Sequence, residues 1–235
     1  MKKAKELLRL LVADPLKAEE EWERILVGDQ QGGRPIFMKI GQNSAENTLQ
    51  GNRLVQEIHV SSPTLKGHKL EILVLEMDPP TSSSGEGDFA EAVLVPTMEI
   101  PTSNTGRYTP VTTPVHKSLV VSQGIIGAAS LMNYPINPDG DVIRTAVDLH
   151  TDVAANLPLQ VVDTSLAAEA IQSFRDSVDN ALVYEKQWFQ SAVPDILEWI
   201  KSGTASTDGE MKAPVRMLVE SLLNNASVAL ESEQR

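Results

Sequence analysis

Cysteine is absent from the chain, which removes disulfides, thiolate metal ligands and a cysteine nucleophile together. That absence also suits a reducing compartment. Aromatic residues make up only 4% of the sequence, so a core must be built from Leu, Val, Ile and Ala. Cations are outnumbered, with 20 Lys and Arg against 32 Asp and Glu, a formal charge of −12. Nucleic-acid surfaces need clustered Lys and Arg to neutralise phosphates, so no nucleic-acid partner is expected. No run approaches the ~20 apolar residues that a membrane-crossing helix needs. What is present is a chain of 235 residues, 41% hydrophobic and 22% charged, long enough to bury one sizeable core.

Catalytic patterns are also missing. His59, His68, His116 and His150 have no metal-ligand spacing, and neither HExxH nor the GxSxG elbow occurs. Asn137-Pro138-Asp139-Gly140-Asp141 suggests a calcium loop, but its glycine comes too early and no glutamate closes it. A turn with Asp141 capping a helix over Val142–Ala155 is the expectation there. The carboxylates are spread along solvated helix faces. No catalytic residue, metal site or cofactor is therefore expected.

The most informative stretch is Ile36–Asp78. A short apolar run, Ile36–Ile40, breaks at Gly41 into a polar loop ending at Thr48. Against the phosphate-cradling pattern GxxxxGK[ST], Gly41 and Thr48 match, while Glu46 replaces the second glycine and Asn47 the lysine. The pattern works because backbone N–H groups wrap the phosphates and a lysine neutralises them. Glu46 would instead bring negative charge to that place. A strand candidate, Val55–Val60, follows; then a turn and a strong strand, Leu70–Met77, expected to pair with it and ending at Asp78. Leu70–Met77 is apolar on both faces and is expected to be central and buried.

Elsewhere the chain alternates short β-rich runs with helical periodicity. Ala4–Val12 and Leu16–Val27 read as helices, the second acidic outside with Glu19, Glu20, Glu21 and Glu23. The basic start of the first allows a targeting peptide, but an amphipathic helix fits better. Ala92–Val95, Lys117–Ser122 and Leu159–Val162 read as strands, and Gly124–Asn133 as a short helix or turn built of small residues. Pro96–Pro114, with four prolines and six threonines, reads as a long loop. Arg107, Tyr108, His116 and Lys117 in and beside it form either a ligand or partner contact or part of a solvated excursion. From Leu166, apolar residues recur through Phe189 as one long helix, and Pro194 restarts a shorter one. A last helix begins at Pro214, its stripe of Val215, Leu218, Val219, Leu222, Leu223 and Ala226 needing a partner.

This order of elements resembles the dynamin-like GTPases: leading helices, a phosphate-loop strand, two further strands, and long helices after the last strand. Within them it is most similar to a fungal mitochondrial inner-membrane family with a degenerate GTPase domain. The run Val93–Thr97, through Gly106–Thr109, to Pro114–Lys117 carries that likeness. The resemblance implies a degenerate phosphate loop at Gly41, Glu46, Asn47 and Thr48, with Asp78 as the third-strand aspartate. The base-reading lysine motif has no counterpart before Asp163. By the same resemblance, the chain is expected to be a catalytically inactive scaffold that assembles with copies of itself and organises the inner membrane from its matrix side, attached only indirectly, without tight nucleotide binding.

Three units are expected: leading helices at 1–33, a degenerate GTPase-like α/β domain at 34–164 with a mixed, mainly parallel sheet, and helices at 165–235. The terminal helices are expected to pack together and to mediate self-association. A plain interaction module and an α/β enzyme with an unread site stay open as alternatives.

Overall fold

The computed structural model describes residues 1–28, 35–41, 49–51, 56–68, 70–77, 86–101, 108–134, 142–150 and 159–202, with positions 216, 219, 220 and 223. The chain opens with α1 (Lys2–Val12) and α2 (Glu21–Val27), then β1 (Ile36–Ile40), β2 (Leu49–Gly51), β3 (Gln56–Val60) and β4 (Leu70–Val74). Next come α3 (Glu86–Leu94), the strands β5 (Thr97–Pro101), β6 (Tyr108–Thr112) and β7 (Ser118–Gln123), and α4 (Gly124–Met132). β8 (Ile143–Asp148) and β9 (Gln160–Val162) lead into α5 (Thr164–Asp176), α6 (Ala181–Gln190) and α7 (Val193–Lys201). The architecture is mixed α/β with flanking helices. One sheet has the order β2-β3-β1-β4, another is the parallel set β7-β8-β9, and β5-β6 stands as a hairpin.

α1 is the centre of the core. It buries Leu7, Leu8, Leu10, Leu11 and Val12, too broad an arc for one neighbour to cover. Cover comes from α2, α5, α7 and β7 together. Each such leucine contributes on the order of 1.5–3 kcal/mol by leaving water. The β1 residues Ile36, Met38 and Ile40 join the same cluster, as do Ile58 and Val60 of β3. The expected packing of the leading helices on the later ones is therefore present.

The parallel sheet is covered on both faces. Leu119, Val121, Ala146 and Val162 belong to the cluster built on α1 and α5. Val120, Val147, Leu149 and Leu159 instead meet Ala128 and Leu131 of α4. Alternation along each strand thus gives three layers: α4, the sheet, and α1 with α5. α6 lies outside α5, packed through Phe174, Tyr184 and Trp188, whose successive ring centroids are 5.0 and 5.8 Å apart.

Several sequence expectations need correction. The six expected strands do not share one sheet. Leu70–Val74 is an edge strand with Glu71 exposed and only Val74 buried, because β3 already occupies the other side of β1. For the same reason the two runs after the polar loop do not pair with each other. Ala92–Val95 is not a strand: Phe89 and Val93, four apart, are buried on one side of α3. Most of Pro96–Pro114 is hairpin rather than loop, its threonines and Val111 suiting extended backbone. Val142–Ala155 begins as β8, where four consecutive residues, Thr145–Asp148, are buried, as a strand covered on both faces requires.

The two long helices are also interrupted. Asp14 makes a turn by accepting from the Leu16 and Lys17 N–H groups, and α2 starts only at Glu21 with a Glu20/Glu23 capping box. The helix expected from Leu166 to Phe189 breaks at Ser177, which is extended (φ −156°, ψ 133°) and caps the 3-10 turn Val178–Asn180. Apolar period continues across that break, but the chain turns back on itself. The final stripe from Pro214 lies largely outside the described residues; of its members, Val219 and Leu223 are described, and both are exposed.

Candidate functional site

The nominated phosphate loop is only partly described. Gly41 follows β1 without positive φ, and a Cβ there would meet nothing within 4 Å. Glu46, Asn47, Thr48 and Asp78 lie outside the described residues, as does Arg107. Where a phosphate loop would feed a helix N-terminus, the described chain continues as β2, with Leu49 opposite Ile58 of β3. Tyr108 opens β6 opposite Pro101, and His116 is exposed. Lys117 is held by α7: its Nζ donates to the Trp199 carbonyl at 2.8 Å and to the Ser202 carbonyl at 2.7 Å. It also lies 4.8 Å from the Trp199 ring centroid, so the cation closes the helix's negative end.

In parallel α/β sheets, ligand sites gather at the carboxyl ends of the strands. Here that edge holds a polar cluster that sequence reading missed. β8 ends at Asp148, whose Oδ1 accepts from the Thr164 backbone N–H at 2.9 Å and from its hydroxyl at 2.7 Å. Lys3, reaching in from α1, lies 3.0 Å from Asp148 Oδ2 and 3.0 Å from Glu6, and donates to Thr164 Oγ1 at 3.1 Å. Burial alone would lower the Lys3 pKa; the hydrogen bonds and charges of Asp148 and Glu6 outweigh it and hold the value above the ordinary lysine range. Asp163, just past β9, accepts from the Leu166 N–H as the α5 cap and stands 3.3 Å from His150 Nδ1.

Lys3, Asp148 and Thr164 are engaged with one another. A lysine with a raised pKa stays protonated and cannot serve as a base. Thr164 is fully buried, so its hydroxyl cannot meet a substrate. Asp148 has both oxygens engaged. His150 and Asp163 form the base-and-orienter half of a triad, but among the described residues no hydroxyl pairs with His150. No group of three or more potential metal ligands exists among the described residues. A nearby cavity of about 390 Å³ is lined by Lys2, Lys3, Lys5, Glu76, Ser122 and Gln123 among others. Such a lining differs from the mostly apolar walls of small-molecule pockets.

A second cluster ties the front of the chain to its back. Glu23 was expected on the solvated face of α2, yet it is 1% exposed. Both of its oxygens accept from Arg175 of α5, at 2.8 and 3.1 Å, and Arg9 of α1 lies 3.7 Å away. The Glu20-x-x-Glu23 spacing was the available signal, because a capping-box glutamate turns back toward its own helix start.

Two helices also expose large apolar side chains. α6 has no buried residue, and with the preceding turn it exposes Val178, Leu182, Val183 and Phe189. Val178, Leu182 and Phe189 fall on one side, four and seven residues apart. α4 similarly exposes Ile125, Ile126 and Met132. Among the described residues no helix is long and apolar enough to cross a membrane.

Comparison with known proteins gives one likeness. No curated protein and no solved structure matches the chain. A family model described as the Mmc1 N-terminal domain matches residues 1–79, the segment that carries α1, α2 and the strands β1 to β4. The match points to an Mmc1-type family and carries nothing about a GTPase.

Proposed function

We propose that the chain is a non-catalytic scaffold of Mmc1 type that works by binding copies of itself. In this reading it is a pseudo-GTPase related to the dynamin-like proteins, acting on the matrix side of the mitochondrial inner membrane. Its membrane attachment is indirect, and it binds neither GTP nor ATP tightly. The observation that carries the reading is the exposed stripe of α6, within the C-terminal helices expected to self-associate. Leu182 and Phe189 are 80% and 65% exposed, although the helix is otherwise well anchored on α5. Val178 and Leu182, one turn apart, and Phe189, beyond exposed Glu185 and Lys186, give exposed apolar surface of the kind that marks contact sites.

Two further observations support it. The polar groups at the carboxyl edge of the parallel sheet satisfy one another, and of Lys3, Asp148 and Thr164 only Lys3 lines the nearby cavity. The strand β2 stands where a phosphate-binding helix would begin. The test is Leu182→Asp in the full chain, read by light scattering behind a sizing column. Because Leu182 is exposed, the fold should persist while association weakens about tenfold or more. Unchanged association in that variant and in Phe189→Asp would remove α6 as the contact.

A further inference from the structure

We draw no further inference here: the strongest candidate, the polar cavity between the first turn of α1 and the carboxyl end of β7, carries nothing because Glu6 and Asp148 already hold Lys3, Glu76 brings negative charge to its wall, and nothing among the described residues shows what would occupy it.

Discussion

Glu23 shows how much one buried carboxylate can decide. Its 1% exposure means that truncation leaves Arg175 as an unpaired charge in the core. Glu23→Ala should therefore cost about 3–5 kcal/mol in urea unfolding. Pairing it with Arg175→Met should recover part of that loss, since the stranded charge is then gone. Lys3 gives a pH signature. Its folded pKa is raised, so its stabilisation is fully present below the unfolded value and disappears as pH rises through the folded one. The stability gap between the parent and Lys3→Met should stay constant through neutral pH and shrink only beyond the ordinary lysine range. A gap that closes near neutrality would contradict the Lys3–Asp148 tie. Lys3 was not readable in the sequence because it meets Asp148 only through tertiary packing, and the capping-box spacing marked Glu23 without showing Arg175 as its partner.

At the scale of elements, α4 offers a close steric test. A Cβ on Gly127 would sit 2.9 Å from the Ser122 Cβ. Gly127→Ala gains up to about 1 kcal/mol of helix propensity, but overpacking costs about 1–3 kcal/mol. Net destabilisation is expected in thermal melts, with partial recovery when Ser122→Gly is added. A more stable single variant would mean that α4 shifts freely on β7. Elements with one strong period were legible: α1, β1, β3, β7, β9 and α7 stand close to where the sequence put them. Misreadings came where two patterns compete. Ala92–Val95 is β-prone by composition, yet the buried Phe89 and Val93 side of α3 prevails. The apolar period from Leu166 to Phe189 runs through Ser177 uninterrupted, so the break lies in backbone angles that periodicity does not encode.

At the scale of the whole molecule, the front of the described chain packs against its back. The segment matching the Mmc1 N-terminal domain ends at residue 79, but α1 within it is covered by β7, α5 and α7 from beyond that point. A fragment of residues 1–79 should therefore lack a cooperative thermal transition that the full chain shows. A sharp transition in the fragment would show that α1 needs none of those partners. For nucleotide, calorimetry with GTP, ATP and magnesium should give no binding near micromolar affinity; tight binding abolished by Thr48→Ala would reverse that expectation. The candidate site was less legible than the fold. The nominated loop drew attention to Gly41–Thr48, whereas the described polar clusters join residues far apart in sequence and the apolar faces are helix sides that tertiary packing leaves uncovered. Self-association itself is tested most directly by sedimentation velocity on the unaltered full chain over a dilution series. The proposal predicts a weight-average sedimentation coefficient that rises with concentration beyond the monomer's and falls back on dilution. A single monomer boundary at every concentration would contradict it.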